Sequence, residues 1–339
     1  MGTGMLLDVA PNLLELGLST AALIARNVDN TRTVPELIAY RRAAGRKLAS
    51  HWKNRSVSAH PAIREYHRLH RQYGADDPPA PEQLISYVRR NRDFTASGAV
   101  VDCYNIVSAR TLLSIGAHDL NKLSLPVTLR TTEPQDIFTP LGATEAKTLR
   151  EEYAYVDSQG SVICRLDVLQ CEHTKTTRES RDIAFFLQGN RSLPPALLLK
   201  GAWLLSEMVT TFCGGTVQLV NFTEAAPAAP AVELKPQIGF ETFKHLHLQK
   251  ATVLAVSPLP NLAALSAVTL QAKDRIEALV PSSALAGERA GREVVVATGL
   301  HPLAAAGKTF SAYVPSLHRG GLATVLQVET EIPDGKRLY

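Results

Sequence analysis

The sequence predicts an α+β protein: a mixed α/β domain followed by a small all-β domain, a barrel or a sandwich. Three observations carry this. Helical periodicity dominates residues 34–95, helix-like and strand-like runs are mixed from Ala99 to Gly215, and Val-rich alternating runs recur at short intervals after a Pro/Ala stretch. The chain has 339 residues and 45% hydrophobic composition, enough for two domains with a core each.

Taken in order, VPELIAYRRAAGRKLASHW places Leu37, Tyr40, Ala44 and Leu48 on one helical face. HPAIREYHRLHRQYG starts a second helix at Pro61 and stops it at Gly74, since proline suits a first turn and glycine the position just past the end. DDPPAPEQLISYVRRN reads as a proline-rich loop and then a helix. AVVDCYNIVSARTLLSIGAHDL holds an apolar run and a Gly116–Ala117 turn. LPVTLR, YAYVD, SVICRLDVL and IAFFLQG read as strands, with a turn at Ser158–Gly160. LPPALLLKGAWLLSEMVTTFCGG reads as a helix opened by Pro194 and Pro195 and closed by Gly214 and Gly215. The prolines of NFTEAAPAAPAVELKPQ exclude a helix or central strand, so residues 221–236 are expected to be a linker between a domain at 1–220, helical at its N-terminal end, and another at 237–339. There, LQKATVLAV, LSAVTLQA, REVVVATG and LATVLQVET are the expected strands.

The net charge is +4, but residues 26–95 hold fourteen Arg or Lys against seven Asp or Glu. Such a region attracts phosphate backbones, or is a solvated helical face. Arg41, Arg42, Arg46 and Lys47 are the first candidates for RNA contact, and Arg68 and Arg71, interleaved with Tyr66 and Tyr73, the second. Four cysteines make no disulfide framework, and the apolar start is broken by Asp8, Pro11, Asn12 and Glu15; the expectation is a cytoplasmic protein with no membrane association. Cys164, Cys171 and His173 fit no metal-ligand spacing, and no phosphate-binding glycine motif is present, so neither a metal nor a cofactor is expected.

The run Asp102, Asn105, Val107, Ser108, Gly116, Ala117, His118, Asp119, Leu120, Lys122 resembles a pattern of the B3/B4 domain of the phenylalanyl-tRNA synthetase β chain and its free-standing relatives. The likeness extends over about residues 30–215, taking in EEYAYVD and CRLDVLQCEHTKTT. The C-terminal part is similar to the tRNA-binding OB domain of methionyl-tRNA synthetase tails, through IGFETFKHLHLQKATVLAV and Gly291, Arg292, Gly299, Leu300 and Pro302. It departs from that pattern at His247, Gln249, Ala251 and Ala263, which removes several expected RNA contacts.

The first resemblance implies an editing hydrolase, releasing an amino acid from the terminal adenosine of a mischarged tRNA. Such a site needs a side-chain reader, an oxyanion cradle and an oriented water. The candidate reader is Glu172, with Thr174 in the same stretch; the bland reading of Glu172 is a surface carboxylate beside Lys175. The candidate cradle is the Gly116–Ala117 turn, or that is an ordinary tight turn. The candidate general base is His118, with Asp119 or Asp102 fixing its tautomer; otherwise the imidazole bonds a backbone carbonyl. In the synthetase the corresponding histidine lies about two residues earlier, at the place of Gly116. Asp102, Asn105 and Ser108 are expected in the pocket wall, or Asp102 and Asn105 in capping. The expected partner is tRNA or aminoacyl-tRNA. Two rival functions stay open: a non-catalytic aminoacyl-tRNA or amino-acid binder, and a protein-interaction role in which the barrel forms a homodimer.

Overall fold

The computed structural model describes residues 6–31, 34–225, 247–260, 262–282, 290–298, 300–312, 314, 316–319 and 322–325. Its first half opens with β1 (Leu7–Val9), α1 (Pro11–Glu15) and β2 (Ser19–Arg26). The helices α2 (Pro35–His51), α3 (Pro61–Gln72), α4 (Ala80–Asn91) and α5 (Ala99–Thr111) follow. Then come β3 (Ser114–Asp119), β4 (Val127–Thr131), β5 (Tyr153–Val156), β6 (Val162–Arg165), β7 (Leu169–Gln170), β8 (Ile183–Gly189), α6 (Pro195–Cys213) and β9 (Thr216–Thr223). The second half holds β10 (His247–Pro258), β11 (Leu265–Gln271), β12 (Arg275–Pro281), β13 (Glu293–Thr298), β14 (Leu303–Ala305), β15 (Lys308–Phe310), β16 (Ser316–Arg319) and β17 (Leu322–Val325).

The architecture is α+β. One five-stranded sheet runs β1-β4-β5-β6-β7 and one six-stranded sheet runs β15-β14-β9-β2-β8-β3. The central strand β2, STAALIAR, is paired antiparallel on both sides, to β8 and β9, and is buried along most of its length. Its place in the supposedly helical N-terminal region escapes a propensity reading, because small alanines say little until α6 packs over them. The helix α6 is the one described helix long and apolar enough to cross a membrane, but its apolar face lies in the core against β2, β8 and β9.

Of the expected stripe of α2, Leu37 is buried and Ala44 and Leu48 pack against the core, whereas Tyr40 is exposed; Arg41 and Gly45 are buried as well. Gly45 is where α2 meets the end of α4: a Cβ added there would lie 2.7 Å from the Asp93 Cα and 2.8 Å from the Arg92 carbonyl oxygen. The segment SIGAHD is β3, a strand at the edge of the six-stranded sheet, rather than a turn.

The C-terminal part is barrel-like, an antiparallel sheet ordered β12-β11-β10-β13 around Val253, Val268, Leu270, Val280, Val294 and Val296. It is not held at a distance. The β14–β15 hairpin joins the first sheet, β14 lying parallel to β9 with Ala304 opposite Gln218 and Ala305 opposite Leu219. Leu265, Ala267 and Leu279 share a core with α6, and the Trp203 indole donates to the His301 carbonyl. The linker expected at 221–236 begins inside β9, and its residues from 226 onward, with 237–246, lie outside the described residues.

Candidate functional site

A cavity of about 260 Å³ opens between the two sheets of the first half. Leu84 of α4 and Tyr104 and Asn105 of α5 form one side; Ile115, Gly116 and His118 of β3, with Phe186 and Gln188 of β8, form another. Tyr155, Cys164, Asp167, Leu169 and Gln170 close it from the five-stranded sheet. Period-two alternation brings Gly116 and His118 to the cavity together. Gly116 and His118 face one side of the strand, while Ala117 and Asp119 face the other.

His118 is buried, and its Nδ1 lies 2.7 Å from the Thr174 hydroxyl, which in turn contacts the Cys171 thiol at 2.9 Å. Burial, with a smaller contribution from His173, pulls the His118 pKa down to about 3, so the ring is neutral near pH 7. The Nε2 edge is on the Gly116 side: a Cβ built at Gly116 would stand 3.6 Å from it and 2.8 Å from the Gln170 amide nitrogen. Glycine therefore leaves room for the Gln170 amide to lie beside the imidazole.

Opposite, the chain turns sharply between β6 and β7. Leu166 and Asp167 both adopt left-handed backbone angles, φ 47° and 53°. Such angles cost roughly 1–2 kcal/mol per non-glycine residue and need support. Leu166 is fully buried, and the Asp167 carboxyl accepts from Tyr153 Oη at 2.5 Å and contacts His70 Nε2 at 3.0 Å, both on Oδ1. Burial alone would lower the His70 pKa; the hydrogen bond and charge of Asp167 outweigh it and raise it. Tyr155 donates to Gln188 Oε1 at 3.0 Å. Burial pushes the Tyr104 phenol up to about 12 and the Cys164 thiol well above its usual value, so both stay protonated near neutral pH.

Of the residues expected at the site, the structure brings His118, Asn105 and Gly116 together around the cavity. Thr174 lies behind His118 and orients it. The others are placed elsewhere. Asp119 accepts from the Ser180 hydroxyl and the Asn121 amide, and strand alternation turns it away from His118. Asp102 is buried against Arg41, 2.7 Å away, and caps the Ser97 amide, so it fixes helices rather than a tautomer. Ser108 donates to the Leu113 carbonyl, and Ala117 sits in the core. Because Gly116 and Ala117 belong to a strand, they form no turn-shaped cradle. Glu172 pairs with Lys175 and accepts from the Gly142 amide at 2.8 Å, pinning the loop after Leu141 instead of lining the cavity. Among the basic candidates, Arg41 is buried between Asp93 and Asp102, and Arg68 is engaged by Glu65. Arg42, Arg46, Lys47 and Arg71 are exposed.

Asp167, Gln188, Gln170, Tyr104 and Tyr155 line the cavity without having been expected there. The signal for Asp167 is faint in the sequence: an aspartate breaking the run SVICRLDVL. No group of His, Cys, Asp or Glu among the described residues is arranged to hold a metal ion.

The fold and cavity define an α+β domain with a cavity between its two sheets, whose wall carries a buried, neutral imidazole. Residues 69–194 match the family model of the B3/4 domain, the stretch that supplies all of these lining residues. A search of curated proteins finds no match. Among solved structures, the chain is similar to an N-terminal fragment of the phenylalanyl-tRNA synthetase beta-subunit from Pyrococcus horikoshii, at 13% identity over 62% of this chain and 49% of that one, with a TM-score of 0.33. A MetRS related protein from the same organism is 14% identical over 32% of this chain and 100% of its own, with a TM-score of 0.27. The chaperone CsaA from Bacillus anthracis str. Ames is 17% identical over 30% of this chain and 99% of its own, also with a TM-score of 0.27.

Proposed function

We propose that the cavity receives the aminoacyl end of a tRNA and that the protein hydrolyses the ester to the terminal adenosine. The observation that carries this reading is His118: its Nδ1 is held by Thr174 and its other edge faces a cavity of amino-acid size, inside a stretch matching the B3/4 domain. In the tautomer that donates Nδ1–H to Thr174 Oγ1, Nε2 is left as an acceptor. It then takes a proton from a water attacking the ester carbonyl, and the ribose oxygen leaves with a proton. Leu84, Ile115 and Leu169 supply apolar lining for the acyl group. Arg42, Arg46, Lys47 and Arg71 are the cations available for the tRNA backbone. The test is incubation with labelled aminoacyl-tRNAs covering aromatic and small amino acids. Deacylation that falls by about a hundredfold or more in His118→Gln supports the hydrolase; no release above buffer with any of them sinks it.

Two observations favour a second reading, a binder without turnover. Imidazole with a pKa of about 3 is a weak proton acceptor, and β3 offers no turn of free amides for an oxyanion. A tight complex with intact aminoacyl-tRNA would establish it. In either case a homodimer is a candidate assembly: among the described residues, β13 pairs β10 at residues 247–252, and Leu254 and Val256 beyond are exposed. Light scattering of the wild type and of Leu254→Lys measures it.

A further inference from the structure

Two residues that line the cavity each carry a buried polar atom without a hydrogen-bond partner, and the two atoms are of opposite kinds. Asp167 Oδ2 is an acceptor; its sister oxygen is already occupied by His70 and Tyr153. Gln188 Nε2 is a donor; its own Oε1 is taken by Tyr155. The Tyr153 phenol oxygen, which donates its proton to Asp167, is the neighbouring acceptor for that amide, but the two are not in hydrogen-bonding geometry. Both residues are more than nine-tenths buried, and both line the cavity. Buried polar groups in folded proteins are satisfied with few exceptions, so an orphaned acceptor and an orphaned donor on one cavity describe the ligand that would satisfy them.

That ligand presents a donor and an acceptor close together. Asp167 is the only acidic or basic side chain, histidine aside, among the described lining residues, so a positively charged donor gains a charge-assisted bond and meets no lysine or arginine. An α-aminoacyl group has this pattern, with an ammonium nitrogen and a carbonyl oxygen on adjacent carbons. We propose that Asp167 and Gln188 form a head-group clamp: Asp167 Oδ2 accepts from the free α-ammonium group of an aminoacyl ligand, and Gln188 Nε2 donates to its carbonyl oxygen. The inference rests on the aminoacyl reading above and deepens it. The cavity then recognises the part common to every amino acid, and the apolar lining sorts side chains only by size and shape. The rival occupant is a hydroxyl or carboxamide at the tip of a side chain, which offers the same two atoms.

The wild-type full chain tests this without any substitution. Binding is measured by calorimetry to adenosines carrying a non-hydrolysable 3′-amide of phenylalanine, tyrosine, methionine or glutamine. Each is compared with its N-acetylated and deaminated counterparts. The clamp predicts that blocking or removing the α-amine weakens binding by about ten- to a hundredfold whatever the side chain. Asp167→Asn gives a similar loss with the free amines and little further loss with the acetylated compounds. Gln188→Leu, which leaves the His70–Asp167 pair intact, weakens the free-amine compounds as well. Equal affinity for free and acetylated compounds overturns the clamp. So does a preference that follows tyrosine over phenylalanine or glutamine over methionine, and so does failure of all the compounds to bind. The hydrolase reading is judged separately. Amine-dependent binding with no deacylation leaves the clamp standing and removes the hydrolase, whereas equal deacylation of N-acetylated and free aminoacyl-tRNA does the reverse.

Discussion

At the scale of single residues, His118 and Arg41 show how burial changes the chemistry of a side chain. The unfolded His118 ring takes a proton near pH 6.5, but the folded one does not until about pH 3. In that window the unfolded chain binds the extra proton, so this ring makes stability rise with pH and costs stability as pH falls. Replacing it with a group that cannot titrate should remove the dependence. Denaturant titrations of wild type and His118→Gln are expected to diverge below pH 6.5, the wild type losing up to about 1.4 kcal/mol per pH unit relative to the variant. A constant difference across the window contradicts this. His70 works in the opposite direction: with its pKa raised, its contribution is full below pH 6.5 and lost as pH rises through the folded value. Arg41 and Arg42 are adjacent in sequence and opposite in environment. Arg41→Met strands Asp102 in the interior, and a loss of about 3–5 kcal/mol is expected in urea unfolding, against less than about 0.5 kcal/mol for Arg42→Met. The sequence marked both as phosphate contacts, because the partners that bury Arg41 lie 52 and 61 residues away.

At the scale of elements, legibility followed local punctuation. The helix α6 between its prolines and glycines, and the apolar strand β8, were readable from their own residues. The strand β3 was not, since Gly116 and Ala117 look like a turn until β8 pairs alongside. Reading β3 as a strand also separates His118 from Asp119, which sequence adjacency had joined. The same limit explains why His118, Asn105 and Gly116 were found and Asp167 was not: the first three sit in one local motif, whereas Asp167 gains its place through His70 and Tyr153. The meeting of α2 and the α4 terminus gives a further prediction. Gly45→Ala adds a methyl where backbone, not a flexible side chain, stands within 3 Å. The expected cost is about 1–3 kcal/mol, seen as a lowered denaturation midpoint; alanine's better helix propensity would otherwise raise it. An unchanged or raised midpoint shows that the two helices can separate at no cost.

At the scale of the whole molecule, the two halves were expected to be joined by a proline-rich tether, yet they share a sheet and a core. Residues of β11, β12, β14 and β15 pack with α6 and β9. Calorimetry should therefore show one cooperative transition, and Trp203→Ala, which removes the indole bonded to the His301 carbonyl, should lower the midpoint reported by both halves together. Two separable transitions, with only one shifted by the substitution, would refute this coupling. The hairpin β14–β15 carries a consequence for the order of events during synthesis. The cavity-lining residues all lie between positions 80 and 188, so they leave the ribosome long before residues 303–310 do. Until those two strands emerge, the outer edge of β9 is open to any passing extended chain, and nascent protein is most vulnerable to mispairing in that interval.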